Sequence, residues 1–190
     1  FRWLLFKEGL GATNHFESCG FIKSSEKIET PDIQYHFLPG AMRYDGKQAN
    51  QGHGYQVHVG FNKPKSHGSV EIRSNDPRHP PKIKFNYLKH EDDVKGFRLA
   101  LKLTRNIMNQ SAFKPFRDIE IQPGKDIQSD DEIDNFIKNS VESAYHPCCS
   151  CKMGSDNDSV VDNQTRVFGL SGLRVVDASI FPDILNGNLN

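Results

Sequence analysis

Four short runs between residues 33 and 87 change from apolar to polar at every second position, and this period of two sets the fold class. In the first, Ile33, Tyr35 and Phe37 fall on one face and Gln34, His36 and Leu38 on the other. Pro31-Asp32 opens that run and Pro39-Gly40 stops it. Residues 54–60 set Tyr55, Val57 and Val59 against Gln56 and His58. Residues 68–74 turn Val70 and Ile72 inward, and residues 82–87 do the same with Ile83, Phe85 and Tyr87. The linkers N-K-P-K-S-H and N-D-P-R-H-P-P are turn material. Strands so spaced, with polar outer faces, predict an antiparallel sheet that is wet on one side. Upstream, residues 1–20 read as an aromatic-rich turn of helix and a loop, and residues 21–28 as a weak strand or loop. Residues 40–53 are rich in Gly, Asn and Gln and read as a long loop.

After residue 90 the period changes. Val94, Phe97, Leu101, Thr104 and Met108 recur every three or four positions, with Ala100 and Ile107 beside them. Glu91, Asp92 and Asp93 occupy the first turn, where the helix dipole favours acids. Residues 110–128 read as loop with a short apolar strand around Ile119 and Ile121. Ser129 to Glu132 forms a capping box before the stripe Ile133, Phe136, Ile137 and Val141. Residues 173–176 are continuously apolar, which is the pattern of a buried parallel strand. The expected architecture is therefore α+β: an antiparallel sheet with flanking helices. To it is added a terminal strand that belongs to a different, doubly wound domain. The expected boundary divides residues 1–142 from residues 143–190.

The 190 residues suffice for a real core, and 24 basic side chains balance 24 acidic ones. That balance gives no sign of a nucleic-acid partner. No apolar run is long enough to span a bilayer. The start lacks a signal-peptide pattern and an initiator Met, and the end is turn chemistry, so the chain reads as a fragment cut at both ends. Three of the four cysteines, Cys148, Cys149 and Cys151, lie too close together for a disulfide framework, which favours a reducing compartment. With His146 they superficially suggest zinc, but the spacing is too tight for a tetrahedral site. No metal is expected.

The segment 143–190 gathers the parts of a reaction site. His146 stands on a corner stiffened by Pro147, and histidine is the side chain that exchanges protons near neutral pH. Asp177 and Ala178 end the apolar run, where ligands of α/β folds collect. Asp177 equally suits a helix N-cap. Gly187 and Asn188 precede Leu189 and Asn190 at the end. Taken alone, a histidine before proline is more often structural than catalytic.

The quoted residues Y-H-P-C-C-S-C-K-M-G (145–154), V-V-D (160–162), R-V-F-G-L-S-G-L-R-V-V-D-A-S-I-F-P (166–182) and G-N-L-N (187–190) change that balance. They resemble the C-terminal signature of the glucose-methanol-choline (GMC) flavoprotein oxidoreductases. P-D-I-Q-Y-H-F-L-P (31–39), Y-Q-V-H-V-G (55–60), F-R-L-A-L-K-L-T-R (97–105) and I-Q-S-D-D-E-I-D (127–134) look like the choline dehydrogenase branch of that family. The resemblance covers nearly the whole chain but only the C-terminal third of the family's protein. It implies FAD as cofactor, a small-molecule alcohol substrate such as choline, and betaine aldehyde as product. It also implies an electron acceptor other than oxygen, and a mitochondrial home at the inner membrane face with possible peripheral membrane association.

By the same resemblance His146 is the catalytic base, and Asn190 is the second catalytic position, its amide donating to the substrate oxygen. Tyr145, Asp177, Ala178, Gly187 and Asn188 line the cofactor. His36 faces the substrate, or else is a polar residue on the wet face of its sheet. The family's dinucleotide fingerprint G-x-G-x-x-G is absent, so these residues alone are not expected to hold FAD. A related GMC alcohol oxidase or dehydrogenase with another substrate, or an inactive fragment acting only as a folded scaffold, are the alternatives.

Overall fold

The computed structural model describes residues 1–40 and 53–189. They form two compact units: residues 1–61 with 99–118, and residues 62–98 with 119–190. Most of the loop expected at 40–53, including Tyr44, lies outside the described residues, as does Asn190.

The first unit holds a short helix α1 (Arg2–Phe6) and a three-stranded antiparallel sheet of β1 (Ser18–Ile22), β2 (Ile33–Leu38) and β3 (Gln56–Phe61), in that order. β2 lies in the middle, with Tyr35 opposite Gly20 on one side and Val59 on the other. The inward face expected of β2 packs as its alternation requires. Ile33 and Tyr35 are buried with Ala100, and Ile22, Val57, Val59, Phe61, Leu103 and Ile107 close around them. The Tyr35 hydroxyl donates to the Ala100 carbonyl at 3.4 Å, and burial pushes its pKa up. Phe37, Tyr55 and Phe113 stack against one another, with ring centroids 5.3, 6.5 and 6.4 Å apart. The opposite face is not wet as expected, because Gln34 and Leu38 are buried on it too. β1 also begins three residues before the expected run, at Ser18, because pairing with β2 overrides its own weak strand propensity.

The second unit contains β4 (Ser69–Glu71) and β5 (Lys82–Lys84), which pair only with each other. The expected single sheet is therefore two sheets. Gly68 lets β4 lie this close: a Cβ there would collide with the Lys84 carbonyl oxygen. Val70, Ile83, Phe85 and Tyr87, expected inward, are exposed, and Ile72 is 91% exposed. Phe85 and Tyr87 stack on each other, with ring centroids 5.1 Å apart.

α2 (Glu91–Met108) gives residues 91–98 to this unit and residues 99–108 to the first. Of its acidic first turn, Asp93 does more than meet a dipole. It is buried and accepts from the backbone N–H groups of Lys65 at 2.7 Å and Ser66 at 2.9 Å. α3 (Asp130–Ser140) starts on the expected capping box: Glu132 N–H donates to the Ser129 hydroxyl, and the Glu132 carboxylate accepts from Ser129 N–H at 2.8 Å. Ile133 and Ile137 are its buried stripe. Arg98 pins α2 to α3, donating to Asp134 at 2.7 Å and Asp130 at 2.9 Å. That guanidinium holds the Asp134 carboxyl below the usual range.

Two expected strands are absent. Ile119 and Ile121 lie exposed in irregular and turn structure, with no strand beside them among the described residues to accept a ladder. Residues 173–176 make one antiparallel bridge, Arg174 to Arg166, and no parallel neighbour is present among the described residues. A strand buried on both faces needs neighbours to satisfy its backbone. Without them Val176 is 76% exposed. The remaining fold is as expected, α+β with antiparallel sheets and flanking helices.

Candidate active site

The site begins with how residues 145–154 are held. Tyr145 has φ 64° and Cys149 has φ 71°, both in the left-handed region that few side chains enter. Two such residues around Pro147 make the sharp corner that carries His146. The corner is then fixed along its exit. Backbone N–H groups of Cys149, Cys151 and Met153 donate to the carbonyls of Ala178, Ser179 and Ile180 at 3.3, 2.9 and 2.9 Å. Met153 in turn bridges Val161, which is fully buried, and Val161 bridges Val167. The signature segments thus form one small hydrogen-bonded stack, although they are far apart in sequence.

That stack brings the histidine corner beside the Asp177–Ala178 turn. Asp177 caps the short 3-10 helix Ala178–Ile180, accepting from Ser179 N–H at 2.8 Å. The Ser179 hydroxyl and N–H together hold the Asp177 carboxyl below its usual range. The N-cap reading of Asp177 is therefore realised. His146 is half-buried, while Tyr145 is 71% exposed, its N–H donating to the Ser143 hydroxyl at 2.9 Å. Gly187 is half-buried and Asn188 exposed.

One anchor was not visible in the sequence pattern. Lys63, in what reads as turn material, donates to Asp183 at 2.9 Å and to the Ile184 carbonyl. It tethers the loop that leads to Gly187 and Asn188, and only a lysine six residues before Ser69 hints at it. His36 belongs to the other unit. There it is half-buried, 3.0 Å from the Gln34 side-chain nitrogen, with the Phe16 ring edge-on at 5.7 Å. It lies opposite Cys19 and His58 in the sheet. Phe37, Tyr55 and Phe113 are half-buried and pack against one another with tilted rings.

A half-buried histidine on a fixed corner, next to a capped turn, can take a proton from a bound hydroxyl. Comparison with known proteins identifies the scaffold. The GMC oxidoreductase family profile matches residues 64–190. The chain belongs to the GMC oxidoreductase family. It is 62% identical over its whole length to an oxygen-dependent choline dehydrogenase of Brucella anthropi, and 56% identical to one of Rhizobium meliloti. In both cases it spans 35% of the relative's length. Among solved structures, pyridoxine 4-oxidase from Mesorbium loti aligns over 92% of this GMC chain and 35% of its own, with TM-score 0.83 and 32% identity. Formate oxidase, at 24% identity and TM-score 0.77, shares the GMC fold over 84% of this chain and 29% of its own.

These relatives correct one expectation. The choline dehydrogenases named here are from bacteria, which have no mitochondria, so the mitochondrial location is withdrawn. Among the described residues no helix is long and apolar enough to cross a membrane.

Proposed function

We propose that the protein carrying this chain oxidises choline to betaine aldehyde with FAD as cofactor. The supporting observation is whole-length similarity to choline dehydrogenases, which runs through the histidine corner and the turn bonded to it. His146 takes the hydroxyl proton onto a ring nitrogen as the carbon–hydrogen bond breaks. Asn190 donates its amide to the alkoxide oxygen, which steadies charge without competing for the proton. His36 is the residue proposed for substrate binding besides these two.

The residues proposed for the cofactor fit one part of it. Tyr145 hydroxyl, the Asn188 amide and the turn at Asp177 and Ala178 offer neutral or accepting groups, with Gly187 adding no side chain. Such a set suits the polar edge of a flavin ring. It does not suit a pyrophosphate, which wants a glycine-rich helix start. FAD, when bound, supplies the hydride acceptor. The fixed corner keeps His146 from drifting, and loss of 1 Å in such a position costs rate steeply.

The relatives are named as oxygen-dependent, against the acceptor other than oxygen implied by family resemblance. Steady-state assays with choline decide both substrate and acceptor. The expected product is betaine aldehyde, and oxygen uptake that matches dye-coupled turnover assigns oxygen as acceptor. Turnover of pyridoxine but not choline overturns the choline reading.

A further inference from the structure

The Cys148 and Cys149 sulfurs lie 3.1 Å apart, with the Cys149 thiol donating to Cys148. Neighbouring side chains in extended backbone point to opposite faces. Here the left-handed φ of 71° at Cys149 folds the two together. The Cys149 N–H bond to the Ala178 carbonyl holds that kink in place. Both thiols are half-buried and free.

The geometry points to a two-thiol chelating site for trivalent arsenicals at Cys148 and Cys149, distinct from the proton-transfer role of His146. Three sulfur–sulfur separations argue for this class. A disulfide needs sulfurs ~2.05 Å apart, well inside the observed 3.1 Å. A thiolate bond to a soft centre such as zinc is ~2.3 Å, so a tetrahedral centre spreads two sulfurs to ~3.8 Å. A pyramidal centre with near-right-angle bonds of that length spreads them to only ~3.3 Å, close to what the pair already has. A tetrahedral cage would also need more ligands. Among the described residues no group of three or more His, Cys, Asp or Glu side chains is placed to hold a metal.

The chemistry balances without an oxidant. With phenylarsine oxide, each thiol sulfur forms one bond to arsenic. The arsenic–oxygen bond is lost, the two thiol protons leave with that oxygen as one water, and arsenic stays trivalent. Burial and the adjacent Cys148 push the Cys149 thiol up to about 12, so its proton is one of the two carried off.

The test titrates phenylarsine oxide against the full-length, FAD-loaded protein under reducing conditions, with the adduct mapped by mass spectrometry. The expected result is one arsenical on the peptide containing residues 148–149, with two thiols lost there. A dithiol should strip it and a monothiol should not. Cys148→Ser and Cys149→Ser should each weaken binding by about 10²-fold or more, the advantage of closing a second bond within one molecule. Cys151→Ser and Cys19→Ser should leave binding unchanged. If Cys149→Ser does not fold, Cys149→Asn keeps the left-handed position accessible and should bind as weakly. Binding unaffected by Cys148→Ser and by Cys149→Asn, binding lost in Cys151→Ser, or no adduct at residues 148–149 would each overturn the site.

Discussion

His146→Ala in the full-length, FAD-loaded protein will slow flavin reduction by saturating choline by about 10²–10⁴-fold, the typical worth of a general base. That is about 3–5 kcal/mol in the barrier. The effect should fall on the reaction step and not on folding. His146 is only half-buried, and its corner is held by backbone bonds from Cys149, Cys151 and Met153 to residues 178–180, none of which needs the imidazole. Stopped-flow flavin reduction together with a thermal melt checks both halves. A variant that keeps its FAD, melts as the parent does and reduces within a few-fold of the parent rate would remove His146 from the role of base.

The largest stability effect is expected at Ile33, not in the signature. Ile33 is fully buried at the start of β2, packed with Tyr35 and Ala100. Ile33→Ala removes its methyl groups and leaves a cavity between sheet and helix, at a cost of about 2–5 kcal/mol. Chemical denaturation of the full-length protein measures it. A loss under about 0.5 kcal/mol would mean that the sheet is not packed on residues 100–107 as described.

How much of this could be read beforehand depended on range. The capping box at Ser129 and Glu132 was legible because both partners lie within one turn. The inward face of β2 was legible because alternation is local and one face does pack on Ala100 and Leu103. Burial of Gln34 and Leu38 was not, since it depends on what covers the second face. Val70, Ile72 and Ile83 have the same alternation as β2, yet remain outside because β4 and β5 pair only with each other. Periodicity says which residues share a face, not whether anything packs on it.

The site divides in the same way. His146 beside Pro147 and the double role open to Asp177 were visible as residue types, and the N-cap of Asp177 followed. The stack from residue 149 to residue 180 was not visible, since backbone bonds between distant segments leave no side-chain pattern. Lys63 holding residues 183 and 184 escaped for the same reason. The paired thiols depend on one dihedral at Cys149, which nothing in C-C-S-C declares.

Under the proposed function, this chain supplies the proton-accepting end of a choline-oxidising flavoprotein. Anaerobic mixing of the full-length, FAD-loaded protein with choline tests it most directly, because it reads the first chemical step whatever the acceptor. The expected result is rapid loss of the oxidised flavin absorbance, with one betaine aldehyde formed per flavin. An oxidised flavin that survives excess choline, in a preparation that pyridoxine or another alcohol readily bleaches, would contradict it.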